Sequence, residues 1–234
     1  MQNEIKSLDL TILMPCLNEE ATVGICIDEA KTFIRQHRIK SEILIADNGS
    51  RDRSVAIAKG CGARVIRVKT KGYGCALRAG IRAARGKVII MGDCDTTYGF
   101  SDIEEMYRLL AENKCDIVIG NRIDGNIQPG AMPITHKLGV RALSEIGRLR
   151  YDVPIRDFHC GLRGITKQAA EKMQFHTTGM EFATEMIAEA KRQGLQMREC
   201  PVVLHRCKYD RESKLNTISD GFRHLAYMMM GGRT

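Results

Sequence analysis

The first half of the chain alternates short apolar segments with segments of helical periodicity. The apolar segments are "LTILMPC" (10–16), "SEILIAD" (41–47), "ARVIRV" (63–68), "KVIIMGD" (87–93) and "DIVIG" (116–120). Apolar residues recur at helical spacing after Asn18, a candidate N-cap, and Ser101 with Glu104 forms a candidate capping box before the fifth segment. This alternation predicts an α/β fold with a mostly parallel sheet and flanking helices.

The pattern changes after about residue 121. The segment "GNRIDGNIQPGAMP" is typical of a loop by its Gly, Asn and Pro content. Helical stretches near 136–150 and 179–193, a strand at 197–205 and a C-terminal helix follow. No Pro/Gly/Ser-rich linker or internal repeat divides the sequence, so residues 1–234 are predicted to form a single domain with two halves, about 1–121 and about 122–234.

Polar segments follow the first four predicted strands, and they are "PCLNEE" (15–20), "DNGSRD" (47–52), "KTKGYGCA" (69–76) and "GDCD" (92–95). In open α/β sheets, ligands bind in the crevice outside the carboxyl ends of the strands. We therefore expect these four segments to converge on one binding crevice.

Composition limits the classes of partner that this chain is expected to bind. A net charge of +8 and a pI near 9.1 favour an anionic partner, such as a nucleotide, a phosphorylated lipid or a membrane surface. Nucleic acid is disfavoured because aromatic residues make up 5% of the chain, Trp is missing, and the basic residues are dispersed. The odd number of scattered cysteines indicates reduced thiols, and the sequence lacks an export signal or a long apolar span, so a cytoplasmic chain is expected.

Asp93 and Asp95 stand one residue apart at the end of the apolar run "KVIIM". Two adjacent carboxylates repel each other unless a positive charge lies between them. Mg²⁺ or Mn²⁺ suits such a pair, since either ion completes its shell with water and phosphate oxygens. The pair therefore indicates a metal site that holds a diphosphate, although a solvated surface turn is the alternative.

The segments "ILMPCLNEEATVG", "ILIADNGSRDRS", "KGYGCALRAGIRAARGKVIIMGDCDTTY" and "GNR" resemble, in order and spacing, the family 2 inverting glycosyltransferases of GT-A fold. The resemblance is greatest to the polyprenyl-phosphate (dolichol-phosphate type) mannosyl or glucosyl synthases. It extends through "DFHCGLRGI", "GMEFATEM" and "SKLNTISDGFRHL", about residues 9–226. It implies that the first half binds a nucleoside-diphosphate sugar and the second half an acceptor.

The resemblance also implies site residues. The expected nucleotide-sugar contacts are Pro15, Asn18, Glu20, Asp47, Ser50, Lys71, Gly72, Asp93, Cys94 and Asp95, with Asp93 and Asp95 as ligands of Mg²⁺ or Mn²⁺. Thr97 stands where many polyprenyl mannosyl synthases have Gln. That departure leaves the choice between UDP-glucose and GDP-mannose open.

The expected reaction is an in-line displacement at the anomeric carbon. Asp95, Arg122, Asp157 and Glu181 are the catalytic candidates, and Arg122, Arg206 and Lys214 are the candidates for binding an acceptor phosphate. A polyprenyl phosphate is already ionised and needs no general base. A hydroxyl acceptor, such as a saccharide in cell-envelope glycan synthesis, would need one, and Asp157 and Glu181 are the candidates.

In the C-terminal helix, Leu215, Ile218, Phe222, Leu225 and Met229 recur at intervals of three and four. This apolar stripe predicts a helix that either packs on the sheet or places its distal part, "LAYMMM", at the membrane interface. A lipid acceptor would otherwise require a membrane-spanning partner subunit. The expected location is thus cytoplasmic, with a peripheral position on the inner face of the membrane if the acceptor is a lipid.

Overall fold

The computed structural model describes residues 8–207, 209 and 217–230, and of residues 217–220 and 230 it describes the backbone only. The strands are β1 (Leu8–Cys16), β2 (Ser41–Asp47), β3 (Arg64–Arg67), β4 (Gly86–Met91), β5 (Ile117–Ile127), β6 (Arg163–Thr166) and β7 (Met197–Leu204). The α-helices are α1 (Val23–His37), α2 (Ser54–Gly60), α3 (Tyr73–Ala83), α4 (Glu104–Ala111), α5 (Ile134–Tyr151), α6 (Lys167–Lys172), α7 (Phe182–Arg192) and α8 (Thr217–Met230).

The described strands form one sheet in the order β3-β2-β1-β4-β6-β5-β7. All neighbours pair in parallel except β6, which is antiparallel to both β4 and β5. The prediction of an α/β fold with a mostly parallel sheet is therefore confirmed. Strand β5 crosses the expected division at residue 121, so the two halves share a strand.

The central strands are buried on both faces because helices cover the sheet. Leu10, Ile12, Leu13 and Met14 of β1 have no exposed surface, nor do Ile89 and Ile90 of β4. Such continuous apolar strands are what a parallel sheet with helices on both sides requires. Burial of β1 and β4 holds their carboxyl ends in place, and these ends carry the predicted site.

Two helix starts differ from the predictions. Asn18 has a φ of +52° and lies in the loop before Thr22, which is the residue that precedes α1. Ser101 lies in a short 3₁₀ turn (Phe100–Asp102), where its Oγ donates to Asp102. The capping predictions were wrong because both side chains are engaged in the turns before the helices.

The buried face of α8 also differs from the prediction. Phe222 and Met229 are 68% and 74% exposed, whereas His224 is 6% exposed and Met228 is 1% exposed. The reason is a polar contact: Nδ1 of His224 lies 2.8 Å from the Oγ1 of Thr184 in α7. The predicted apolar stripe therefore does not pack on the fold at Phe222 and Met229; Leu215 and the side chain of Ile218 lie outside the described part.

Candidate active site

Four parallel strands place their loops side by side. Strands β3, β2, β1 and β4 are consecutive in the sheet, and the segments 15–20, 47–54, 69–74 and 92–97 follow their carboxyl ends. The predicted convergence is confirmed for these loops. They form one rim of the sheet, where a ligand would lie.

The first two loops are joined by hydrogen bonds between backbone and side chains. The amide of Asn18 donates to the Oγ of Ser50, and the amide of Arg51 donates back to Oδ1 of Asn18, at 3.0 and 2.8 Å. The carboxylate of Glu20 accepts from the amide of Arg53 at 3.0 Å. Asn18, Glu20 and Ser50 thus shape the rim, and their contact with a nucleotide stays a prediction.

Asp47 is 2% exposed and stabilises its own turn. Its carboxylate accepts hydrogen bonds from the amides of Gly49 and Ser50 at 3.3 and 3.0 Å. Gly49 has a φ of +92°, and a Cβ there would lie 2.4 Å from the Nζ of Lys71. The turn therefore requires glycine, and it brings Lys71 directly onto the loop.

The third loop is attached to the second through Asn48, a residue that sequence reasoning did not assign. Its Oδ1 accepts from the amide of Gly72 at 2.7 Å, and its carbonyl oxygen accepts from the Nζ of Lys71 at 2.7 Å. Gly72 has a φ of +129°, and a Cβ there would lie 2.1 Å from the carbonyl oxygen of Thr178. The predicted Lys71 and Gly72 are thus brought together with the Asp47 turn.

The Asp93 and Asp95 pair follows β4. Asp95 is 5% exposed, and its Oδ1 accepts hydrogen bonds from the amide and the Oγ1 of Thr97. Thr96, between Asp95 and Thr97, has a φ of +65°, a left-handed conformation that is uncommon outside glycine and turns the chain back. Thr97 therefore positions the Asp95 carboxylate.

Asp93 lies against two residues from other parts of the chain. A Cβ at Gly161 would lie 2.7 Å from Oδ2 of Asp93, so only glycine allows this approach. Burial raises the pKa of Tyr73 well above its usual value, and the neighbouring Asp93 carboxylate raises it further. Tyr73 and Gly161 were not predicted as site residues, because only the tertiary structure brings them to Asp93.

Cys94, between the two carboxylates, turns inward. It is 2% exposed, its Sγ donates to the carbonyl oxygen of Pro15 at 3.2 Å, and its own carbonyl accepts from the Oγ1 of Thr22 at 2.8 Å. Cys94 and Pro15 thereby attach the Asp93–Asp95 turn to the first loop. A ligand contact by the Cys94 thiol is incompatible with this orientation, so any contact would come from its backbone.

The donor set at this turn suits a hard divalent ion. Two carboxylates stand on one short turn, and no cluster of three or more His, Cys, Asp or Glu side chains able to hold a metal occurs among the described residues. Mg²⁺ binds through one or two carboxylates and takes its other ligands from water and substrate phosphates, and Mn²⁺ also accepts carboxylate, carbonyl and water oxygens. Asp93 and Asp95 therefore fit an ion that is completed by a diphosphate.

Arg122 and Asp157 form a buried ion pair on the other side of the rim. Nε and Nη2 of Arg122 donate to the two carboxylate oxygens of Asp157, both at 2.7 Å, and the backbone amide of Arg122 adds a third bond at 3.0 Å. Burial alone would raise the pKa of Asp157, yet the hydrogen bonds and charge of Arg122 outweigh it, so its pKa is lowered. Asp157 therefore holds Arg122 and is a poor proton acceptor.

Glu199 of β7 forms hydrogen bonds with the segments that carry this ion pair. Its Oε1 accepts from the backbone amides of Arg156 and Asp157, both at 2.9 Å. Its Oε2 accepts from the Nδ2 of Asn121 at 3.1 Å. Strand β5 and the loop that carries Asp157 are thus tied to one carboxylate.

Basic residues surround a small cleft beside Arg122. Arg122, Lys137 and Arg141 line it together with Ile123, Ile127, Met132, Val140 and Asp157. Burial lowers the pKa of the adjacent His136, and the charge of Arg122 lowers it further. The cleft is cationic, and it is bounded by α5 and the end of β5.

Arg206 lies against the loop that forms one wall of this cleft. A Cβ at Gly130 would lie 3.5 Å from the Cδ of Arg206, and the amide of Arg206 donates to Oε1 of Gln128 at 3.1 Å. The structure thus brings two of the three predicted acceptor residues, Arg122 and Arg206, to one region. Lys214 lies outside the described residues.

Glu181 immediately precedes α7. Its Oε1 accepts from the amide of Gly179 at 3.1 Å, and its Oε2 lies 3.9 Å from the Nε of Arg223 in α8. The preceding loop contacts the start of α3, because the amide of Gly74 donates to the carbonyl of Thr178 at 3.0 Å. Glu181 is therefore placed between α3 and α8.

Several known proteins are similar to this chain. The low-salt glycan biosynthesis hexosyltransferase Agl6 of Haloferax volcanii is 36% identical over 222 residues, 94% of this chain and 53% of that protein. The human dolichyl-phosphate beta-glucosyltransferase is 28% identical over 76% of this chain and 61% of its own length. The chain thus spans between half and two thirds of these two relatives.

The fold matches that of a solved enzyme. Glucosyl-3-phosphoglycerate synthase from Mycobacterium tuberculosis, solved with Mn²⁺, UDP and glucosyl-3-phosphoglycerate, superposes with a TM-score of 0.75 at 19% identity, over 95% of this chain and 79% of that one. The α/β domain is accordingly a GT-A fold.

The sequence model of the family described as Glycosyl transferase family 2 matches residues 11–174, which include the four rim loops, the Asp93–Asp95 turn and the Arg122–Asp157 pair. The predicted family and enzyme class are therefore confirmed, and the chain belongs to glycosyl transferase family 2.

Proposed function

We propose that the chain transfers a hexose, with inversion and with a divalent metal, from a nucleoside-diphosphate sugar to a polyprenyl phosphate. UDP-glucose and GDP-mannose are the candidate donors. The observation that carries the choice of acceptor is the Arg122–Asp157 pair beside a cationic cleft. Asp157 is fully buried and its pKa is lowered, so it is poorly suited to deprotonate a hydroxyl, whereas an ionised phosphate needs no base.

The relatives' names support this direction. Dolichyl-phosphate hexose transferase of Haloferax volcanii is 26% identical over 83% of this chain and 82% of its own length, and the human relative is a dolichyl-phosphate beta-glucosyltransferase. Both names specify a hexose or glucose and a polyprenyl-type phosphate.

On the donor side, Asp93 and Asp95 would hold Mg²⁺ or Mn²⁺, which when bound stabilises the charge that develops on the leaving diphosphate. Fold neighbours were solved with either ion and with UDP. The Asp47 turn, Lys71 and Gly72 lie on the same rim and would bind the nucleotide, with Lys71 adding positive charge. The first two loops of this rim are held together by hydrogen bonds of Asn18, Glu20 and Ser50.

On the acceptor side, Arg122 and Arg206 would bind the phosphate, and Lys137 and Arg141 of the cleft would add further donors. Arg122 is pre-oriented by its two-point pairing with Asp157, so little side-chain freedom is lost on binding. Lys214 stays a proposed third contact.

A hydroxyl acceptor in glycan synthesis is the second candidate function. Agl6 is named as a hexosyltransferase of glycan biosynthesis, and Glu181 is a carboxylate near both α3 and α8 that could serve as the base. This alternative predicts transfer to a saccharide that depends on Glu181.

A lipid acceptor implies that the transfer takes place at a membrane surface. None of the described helices is long and apolar enough to cross a bilayer. From the lipid acceptor we propose that the chain associates with the cytoplasmic face of the membrane, either directly and peripherally or through a membrane-spanning partner subunit.

The test is transfer by the purified chain from UDP-glucose and from GDP-mannose, each with and without a short polyprenyl phosphate, with Mn²⁺ or EDTA. We expect one donor to give a polyprenyl-linked hexose with Mn²⁺ and none with EDTA. Transfer to a saccharide in place of the lipid, lost in Glu181→Gln, would favour the second candidate. Turnover that EDTA leaves intact would refute the metal assignment.

A further inference from the structure

Helix α5 exposes four large apolar side chains and turns Ser144 and Gly147 towards the core. Ile134, Leu138, Ile146 and Leu149 are 78, 62, 41 and 79% exposed. The buried residues of this helix are Val140, Ser144 and Gly147. An amphipathic helix of a soluble domain normally shows the reverse arrangement.

Close packing against the core requires the small residues. A Cβ on Gly147 would lie 2.6 Å from Cε1 of Phe158, and the Oγ of Ser144 accepts a hydrogen bond from the amide of Phe158 at 3.2 Å. The inner face of α5 is therefore already in close contact with the core of this chain. Its exposed apolar side chains are left without a described partner.

These exposed side chains form one stripe. With Ala142, which is also exposed, they follow spacings of four, four, four and three residues, which keep them on one helix face. The stripe, defined as Ile134, Leu138, Ala142, Ile146 and Leu149, is about 22 Å long at the α-helical rise. Helix α8, whose Phe222 and Met229 are exposed, packs against α5 and enlarges the apolar area.

Basic residues accompany the stripe. Lys137, Arg141, Arg148 and Arg150 lie on α5, and the only acidic residue of this helix, Glu145, is paired with Arg148 at 2.9 Å. Apolar and cationic side chains on one helix are the combination that binds the surface of an anionic bilayer. The excess of positive charge favours an anionic partner surface.

The stripe begins where the acceptor cleft lies. Leu138 is adjacent in sequence to Lys137 and three residues before Arg141, and both basic residues line the cleft with Arg122. A bilayer in contact with the stripe would thus bring its headgroup layer to the opening of the cleft. Phosphate carried by a lipid would meet Arg122 without leaving the interface.

We propose that the stripe on α5, enlarged by the exposed side chains of α8, is the surface that binds an anionic lipid bilayer. This inference rests on the proposed function for its purpose, but the contact itself requires neither donor nor acceptor. It moves the interfacial contact from the tip of α8, where the sequence predicted it, to α5.

The test uses sedimentation of the full chain with vesicles of phosphatidylglycerol and phosphatidylcholine that contain no polyprenyl phosphate. The double variant Leu138→Glu/Leu149→Glu is compared with wild type and with Ile25→Glu, a matched change on α1 at a residue that is 37% exposed. We expect the partition coefficient to fall about tenfold or more in the double variant, since two apolar side chains no longer enter the interface. Ile25→Glu should bind as wild type does, and neutral vesicles should bind wild type more weakly.

Three outcomes would overturn the inference. The first is that wild type does not pellet, and the second is that the double variant pellets equally. The third is that sedimentation velocity shows wild type as a dimer that the double variant dissociates, because the stripe would then join two copies of the chain. A chain that pellets but transfers nothing to polyprenyl phosphate would refute the proposed function alone, whereas transfer to a water-soluble short-chain acceptor without pelleting would refute the bilayer contact alone.

Discussion

We predict that acid destabilises this protein through a buried histidine pair that joins α8 to the loop that carries Asp157. The ring centroids of His159 and His224 lie 4.4 Å apart, and His224 also pairs with Thr184 in α7. Burial is the main cause that lowers the pKa of His224 to about 4, with the charge of Arg163 acting in the same direction and the charge of Glu181 opposing both. Burial also lowers the pKa of His159 well below its usual value, and the nearby His224 adds to the effect.

The sign and size follow from proton linkage. A folded-state pKa below the unfolded value of about 6.5 means that the unfolded chain binds the proton more readily, so stability is full above that pH and falls as the pH drops towards 4. For His224 alone, the loss between about pH 7.5 and about pH 5 is about 2 kcal/mol, with a limit of about 3.4 kcal/mol below pH 4. The lowered pKa of His159 makes the free energy of unfolding fall further as the pH drops.

The assay is urea unfolding of wild type, His224→Gln and the exposed-site control His176→Gln at both pH values. Gln can retain a hydrogen bond to Thr184 but does not titrate. We expect the pH-dependent loss to be smaller in His224→Gln by about 2 kcal/mol, and unchanged in His176→Gln. If His224→Gln loses as much stability as wild type, the histidine pair is not the acid-sensitive element.

Other predictions address the site. Asp95→Asn should lower metal-dependent transfer at least about a hundredfold, because metal stabilisation of the leaving group is worth several kcal/mol, and it should leave the urea midpoint near that of wild type. Asp93→Asn should lower transfer in the same way. Wild-type turnover in either variant would contradict the metal site. Asp157→Asn should lower the free energy of unfolding by about 3 kcal/mol, since it leaves Arg122 buried without its charge partner, and an unchanged urea midpoint would contradict the buried pair. Arg206→Ala should raise the KM for the polyprenyl phosphate several-fold with the donor KM unchanged, and equal losses on both sides would move this residue to the donor site.

Local patterns in the sequence were sufficient for the sheet and its rim. Apolar runs such as "LTILMPC" and "KVIIMGD" became β1 and β4, since a strand buried on both faces is apolar along most of its length. The order of these runs, with helices between them, requires parallel pairing. Parallel pairing then places Asp47 and the Asp93–Asp95 turn at the same edge without further information.

Roles that depend on distant contacts could not be predicted in this way. Arg122 and Asp157 were both identified as candidates, but nothing local shows that they bind each other, because the partners are 35 residues apart. The same holds for Gly161, which approaches Asp93 only after β6 has entered the sheet between β4 and β5. Asn18 and Glu20 were assigned to the nucleotide, whereas the fold uses them first to join two loops.

The helix faces show the same division. The periodicity of α5 and α8 was sufficient to predict helices, since helical spacing is a property of consecutive residues. Which face is buried was decided by the partner: Phe158 admits only small residues of α5, and Thr184 draws the His224 face of α8 inward. Steric fit and hydrogen bonding across elements outweigh hydrophobicity there, so large apolar side chains are exposed on the outer surface of both helices.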